Sequence, residues 1–500
     1  MPHPEYPPAG RARAKLLAEQ IRNITRHFAW QPHPGGEHIE RGGDDPIHMQ
    51  THSEMANEES LAHSPSHSHS RRVFSLAWPV IGENFLQTLL GIVDTLMVAS
   101  LGAAALAGVG AGIQIMYFVI AALSATSVGS SVLVAQAVGA KNLAQASIFA
   151  RQSLVWSVLI SIPLIVFGLV AAESIIGVFG MEADVNAIGT EYLRVTMGTV
   201  VVLTLLILGG GVLRGAGDSR TPMLVTALAN LVNIILSYGL IFGEFGMPEL
   251  GAVGSAWGTF LSRIVGFLIL FGVLWKGKNG VSIRGRTGWW PSLGTARELL
   301  RIGIPAAIEQ ILTNIGFLSM TIVVAALGTE ALAAQRIVFN ALSISFLPGI
   351  GFGLAATALV GQSTGAKEAE AARIVGRIST LWATIWMGGL GLLFILFRFS
   401  IMDWFTDDPA VIAIGMAGFW PLAITQPFWA IIIVQSGALR GAGETQYPLR
   451  VNVIGVWSGV LLGYLFVTLF EGGLSTIWSS FMITGPFSAW LLSRRFRQLI

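Results

Sequence analysis

The sequence predicts an all-α polytopic membrane protein: about twelve transmembrane helices in two parallel six-helix repeats that enclose a central cavity. Three observations carry this. Hydrophobic residues make up 53% of the 500 residues and charged residues only 12%, about half the charged share of a soluble domain. The apolar stretches are long, and roughly 20 apolar residues suffice to cross about 30 Å of hydrocarbon. Basic and acidic residues alternate between successive connections.

Residues 1–70 stand apart. They hold all nine histidines, with Pro, Gly and mixed charges, and no apolar run of signal-peptide length. This composition reads as a disordered cytoplasmic tail that is dispensable for transport. His63, His67 and His69 are metal-binding residue types, but their spacing alone is weak evidence and a flexible polar tail is the favoured reading. The tail precedes an amino-terminal lobe over 71–296 and a carboxy-terminal lobe over 297–500.

From Arg71 the spans are predicted at 73–99, 105–137, 152–176, 190–212, 222–242, 252–275, 302–326, 332–362, 379–402, 411–437, 450–470 and 474–493. No stretch alternates with the period of two that a membrane strand needs. The even-numbered connections carry Lys141–Arg151, Arg214–Arg220, Lys276–Arg301, Lys367–Arg377 and Arg440–Arg450, and the last residues include Arg494, Arg495 and Arg497. The odd-numbered connections carry Glu182, Asp184, Glu244, Glu249, Glu330, Asp407, Asp408 and Glu471. Positive charge stays on the cytoplasmic side of a membrane, so both termini are expected there.

The chain repeats at an offset of 226 residues. Pro79 and Glu83 return as Pro305 and Glu309, and Leu101–Gly102 as Leu327–Gly328. Gln136, Gly139 and Lys141 return as Gln362, Gly365 and Lys367; Arg214, Gly215 and Gly217 return as Arg440, Gly441 and Gly443. Six helices per repeat is an even number, so both repeats enter from the same side and are parallel.

The stretches "PVIGENFLQTLLGIVDTLMVASLGAAALAG", "VLVAQAVGAKN", "LRGAGDSRTPM", "GAVGSAWGTFLSR", "GIPAAIEQILTNIGF", "ALGTEALAAQ", "ALVGQSTGAKE" and "ALRGAGETQYP" occur in family order. Together they resemble the multidrug and toxic compound extrusion (MATE) family, most closely its DinF-like branch, over about residues 71–495. The resemblance implies a secondary antiporter that exports amphipathic or cationic organic compounds by alternating access, in exchange for inward protons or sodium ions.

Glu83, Asp94 and Glu309 are the acids placed well inside predicted spans. A charge at mid-bilayer costs about 3 kcal/mol or more, so it faces protein or water and is a functional candidate. Glu83, Gln87 and Asp94 share one face of the first span, above a kink expected at Pro79, and form a polar stripe with a switch beneath it. Glu309 duplicates Glu83 and marks a polar site in the carboxy-terminal lobe. Asp94 has no twin, because its repeat position is Met320. Depth counted along the spans puts Asp94, Asn233, Ser237 and Thr259 in one layer, about 9–15 Å below the acidic connections. The resemblance implies a cation-coupling site there: Asp94, Asn233 and Thr259 match the DinF-like pattern, and Ser237 replaces a second aspartate. With one carboxylate lost, a proton on Asp94 is favoured as the coupling ion, with a weak sodium site as the alternative. Arg263 lies one turn from Thr259, at a depth that would let it pair with Glu83; binding to backbone carbonyls is the plainer alternative.

No cofactor or dedicated metal site is expected, and no enzyme: residues 71–500 contain neither His nor Cys to build a nucleophile, base or metal cluster. The Gly-rich "RGAGDSRTP" and "RGAGETQYP" lack the order of a phosphate-binding loop and read as tight turns. Trp289, Trp290, Trp404 and Trp420 read as interfacial anchors. Basic residues follow the topology rather than form a patch, so nucleic acid is not a partner. The expected partners are small organic substrates and membrane lipid, around a monomer in a bacterial plasma membrane. A lipid-precursor flippase would need a basic cavity, and a membrane enzyme or assembly factor would show no coupled dye export.

Overall fold

A computed structural model describes residues 65–500. The tail before Pro65, with His63, lies outside the described residues. Helix α1 spans Pro65–Ala99, so residues 65–70, assigned to the tail from sequence, are already helical. There follow α2 (Ala103–Gly139), α3 (Leu143–Gly177), α4 (Ala183–Gly198), α5 (Val200–Gly215), α6 (Arg220–Phe242) and α7 (Ala252–Lys276). The second set is α8 (Leu293–Ala325), α9 (Thr329–Gly365), α10 (Ala369–Leu396), α11 (Arg398–Phe405), α12 (Pro409–Gly441), α13 (Gln446–Phe470) and α14 (Leu474–Leu499). No strand forms among the described residues.

These helices make twelve membrane passes. Ten are long and apolar enough alone, and α4 with α5 makes an eleventh. The predicted fourth span is therefore not one straight helix: it bends by 52° between Gly198 and Val200. The ninth also breaks, at Phe397, between α10 and α11. The twelfth, α14, is rich in Ser and Thr and packs one face on α12 and α13. Several helices start about two turns before the predicted spans. Hydropathy sees only the lipid-buried part, whereas stretches such as "LGTARELL" of α8 continue the helix into the polar zone.

The repeat is written into the backbone. Gly102 and Gly328, 226 residues apart, both stand before the second helix of their repeat with φ of 111°. Such a positive φ is cheap only for glycine. Their counterparts Lys141 and Lys367 adopt φ of 57° and 61° where that helix ends.

The two lobes interlock at the end that carries the basic connections, the basic end. Val73 and Leu76 of α1 are buried in the core of the carboxy-terminal lobe, among Phe352, Leu359 and Leu439. Their twins Leu299 and Ile302 of α8 are buried in the amino-terminal core, among Leu133, Phe149 and Leu213. Each lobe thus inserts the start of its first helix into the other. Where α2 meets α9, Gln136 Nε2 donates to the Gly441 carbonyl at 3.0 Å. In return, Gln362 Nε2 donates to the Gly215 carbonyl at 2.9 Å. A Cβ on Gly139 would strike the Gln362 carbonyl, and one on Gly365 the Gln136 carbonyl, so only glycine permits this approach. Toward the acidic end, Gly91 of α1 and Gly110 of α2 have open space around them.

Candidate functional site

The polar residues of the amino-terminal lobe converge from α1, α4, α6 and α7. On α6, Asn233 and Ser237 stand four residues apart, one above the other on the same face. Both are sealed from solvent, at 1% and 0% exposure. Asn233 Nδ2 donates to Thr259 Oγ1 of α7 at 3.0 Å and to Ser262 Oγ at 3.4 Å. Ser237 Oγ donates to Asn233 Oδ1 at 3.2 Å. Gly258 lets α7 come this close, since a Cβ there would meet Ser237. Asn233, Ser237 and Thr259, placed in one layer from sequence, thus form one network. Ser262 joins it and was not foreseen; its only signal was the spacing of three from Thr259.

Asp94 is not hydrogen-bonded to that network. Its Oδ1 is buried and has no hydrogen-bond partner among the described residues, an arrangement that is costly for a carboxylate held away from water. Its charged neighbour is Arg263 of α7, within electrostatic reach of both Asp94 and Tyr192 of α4. Tyr192 is itself buried, its ring packed on Gly112 of α2.

The pairing of Arg263 with Glu83, one of the two readings left open from sequence, does not occur. Glu83 Oε2 instead accepts from Arg214 Nη1 of α5 at 3.1 Å, and Oε1 from Thr226 of α6 at 3.5 Å. The polar stripe of the first span therefore divides. Glu83 is tied into an ion pair, Gln87 is exposed, and Asp94 alone keeps an unsatisfied oxygen. Pro79 lies within α1, buried one turn before Glu83.

Glu309 repeats the Glu83 arrangement. It accepts from Arg440 Nη2 of α12 at 2.6 Å and from Asn452 Nδ2 of α13 at 2.6 Å. Arg440 and Asn452 are the repeat twins of Arg214 and Thr226. The two glutamates thus share one task, pinning the first helix of each lobe to the fourth pass and the fifth.

The Asp94 layer has no such copy. Its twin Met320 is fully buried and lies beside Gly463, the twin of Ser237. Phe481 packs over Gly459, the twin of Asn233. Phe317, Phe339, Trp429, Trp478 and Phe481 then fill the region with ring-on-ring contacts. One lobe has a polar interior here and the other an aromatic core. Among the described residues, no group of three or more His, Cys, Asp or Glu is placed to hold a metal ion.

Residues 79–239 and 305–465, two copies in one chain, match the family model MatE. The chain is 34% identical to a probable multidrug resistance protein NorM of Thermotoga maritima, over 82% of this chain and 88% of that protein. It is 27% identical to an uncharacterized transporter, YisQ, of Bacillus subtilis, over 86% of this chain and 94% of that one. It is also similar to a solved structure described as the outward-facing conformation of a multidrug resistance MATE family transporter of the MOP superfamily. The TM-score is 0.80 over 86% of this chain and 96% of that one. At 23% identity that likeness shows the fold.

Proposed function

This chain belongs to the MATE family of membrane transporters and is not an enzyme; from that premise we propose that it is a secondary antiporter, exporting amphipathic organic compounds in exchange for inward protons at Asp94. The observation that carries the proposal is the unpartnered buried oxygen of Asp94, in a polar layer that one lobe has and the other lacks. Asn233, Ser237, Thr259 and Ser262 spend their strongest hydrogen bonds on one another. That leaves Asp94 a single carboxylate without a ready shell of oxygen ligands, a poor match for sodium. A proton needs only the one oxygen. Substrate and proton compete for that carboxylate, and such competition is sufficient to couple their movements.

Alternating access supplies the rest. The lobes interlock at the basic end through the two glutamine bonds. With the basic end in the cytoplasm, as positive charge favours, the interlocked end faces inward and both termini are cytoplasmic. A bacterial inner membrane suits this topology.

The test is transport of an organic dye by the full chain in proteoliposomes, with proton and sodium gradients imposed separately. Proton-driven dye movement that Asp94→Asn reduces at least tenfold, at equal reconstitution, is the expected result. Transport driven by sodium with the proton gradient collapsed would refute the proton assignment. Normal coupling in Asp94→Asn would refute the site.

A further inference from the structure

The two lobes carry different charges at equivalent places near the acidic end. In the amino-terminal lobe the third and fourth passes are joined by an ion pair: Arg194 Nη2 of α4 lies 3.7 Å from Glu173 Oε2 of α3. The offset of 226 residues carries Glu173 to Phe399 and Arg194 to Trp420. The acid is gone, and the arginine has changed helices. Arg398, whose twin Ala172 is fully buried, opens α11 and holds its guanidinium carbon 5.2 Å from the Trp420 ring centroid. The carboxy-terminal lobe thus keeps a cation here without the anion that meets it in the other lobe.

The protein uses little of that cation. Arg398 Nη1 donates to the Ile395 carbonyl at 3.0 Å, and among the described residues Arg398 makes no other hydrogen bond and no ion pair. An aromatic ring attracts the positive charge but leaves the in-plane fork of N–H donors open. The acids of the same connection are turned elsewhere. Asp403 stands roughly 140° round α11 from Arg398, and Met402 between them is buried against Gly415 of α12. Asp408 spends its Oδ1 on the backbone N–H groups of Ala410 and Val411.

Arg398 is also the only basic residue in any connection at the acidic end, an exception to the charge alternation. It follows Arg377, the last basic residue at the other end of this pass, by 21 residues. That is about 32 Å of helix, close to the roughly 30 Å of hydrocarbon, so the two arginines mark the two headgroup levels. Leu393, Leu396, Phe397 and Phe399 around it are exposed, an apolar surface that acyl chains cover in a membrane. A guanidinium fork at headgroup depth matches a phosphodiester. A zwitterionic headgroup brings a second cation to an arginine that has no acid of its own, and an anionic headgroup does not. We propose that Arg398, held by Trp420, binds the phosphodiester of an anionic phospholipid in the leaflet at the acidic end. The membrane then supplies the anion that Glu173 supplies in the other lobe.

The test reads the lipid at this one place. The full chain, with photo-crosslinking p-benzoylphenylalanine in place of Phe399, is reconstituted in vesicles of equal parts phosphatidylglycerol and phosphatidylcholine. The lipid adducts are then weighed by mass spectrometry. Phosphatidylglycerol adducts about fivefold over phosphatidylcholine are expected, roughly the worth of one basic side chain at an anionic lipid surface. Arg398→Gln in the same background should return the ratio to that of the bulk mixture, and an undiminished phosphatidylcholine adduct shows that position 399 still faces lipid. Arg398→Lys should keep most of the enrichment. Arg194→Gln, in the lobe whose cation is already paired, should leave it unchanged. A parent ratio equal to the bulk, or an enrichment that survives Arg398→Gln or falls equally in Arg194→Gln, would overturn the inference. Inorganic phosphate added to the vesicles should not lower the enrichment; if it does, the site takes free phosphate and the lipid assignment fails. Dye export has no part in this readout, so its result is independent of the export reading.

Discussion

At the scale of single residues, the twin ion pairs show how a repeat reveals contacts that depth alone misplaces. Glu83 and Arg214 recur together as Glu309 and Arg440, so a constant offset already named both partners. Reasoning from depth alone led Glu83 to Arg263 instead, because depth along a helix says nothing about which face is turned to which neighbour. The pair in the carboxy-terminal lobe is the tighter one. Arg440 and Glu309 approach to 2.6 Å, with side chains 23% and 7% exposed. Glu309→Leu strands Arg440 and is expected to cost about 3 kcal/mol, whereas the double variant Glu309→Leu with Arg440→Leu should recover much of that loss. Midpoints of thermal unfolding in detergent check this; a double variant worse than the sum of the singles would show that the pair is not the stabilising unit. Asp94 was legible for the opposite reason, since it breaks the repeat. Ser262 and Tyr192 were not, because Ser and Tyr are ordinary in a helical membrane protein and only the fold brings Ser262 to Asn233 and Tyr192 within reach of Arg263.

At the scale of elements, the sequence located every pass but not its ends or its bends. The break between α4 and α5 falls at Thr199, in a run without proline, so no local signal announced it. The crossing of α2 and α9 was legible only in hindsight: Gly139 and Gly365 are duplicated, yet nothing in a linear sequence says that each glycine faces the other helix's carbonyl. That geometry makes a sharp prediction. Gly139→Ala places a methyl group against the Gln362 carbonyl, and backbone cannot yield as a flexible side chain can. The lobes should part at the basic end. Pulsed electron–electron distances between spin labels at Ala144 and Glu370, exposed twins on the helices that follow the crossing, should lengthen by several ångströms. The chain has no native cysteine to mask first. An unchanged distance would show that the crossing is not what holds the lobes together.

At the scale of the whole molecule, the two-lobe plan follows directly from six passes per repeat, and charge alternation supplies its orientation. What the sequence concealed is the way the lobes hold together. Repeat symmetry predicts like lobes but not the exchange of helix starts, in which Val73 and Leu76 complete one core and Leu299 and Ile302 the other. The chemistry is less symmetrical than the plan. An aromatic interior around Met320 and Phe481 fills the carboxy-terminal lobe, where the other lobe keeps a polar layer.

The reciprocity at the basic end has a genealogical consequence. A patch in which Gln136 reaches Gly441 while Gln362 reaches Gly215 is isologous, the kind of interface that joins two identical subunits about a twofold axis. Exchange of equivalent helix ends is, in the same terms, a domain swap. The molecule therefore has the anatomy of a homodimer whose protomers were later fused in tandem. The covalent link between α7 and α8 is then dispensable, while the linker's own Val281 and Ile283 stay packed in the amino-terminal core. Fragments 1–286 and 287–500, co-expressed, should copurify and restore dye export to a substantial fraction of the intact level. Fragments that insert separately and never associate would show that fusion became essential after duplication.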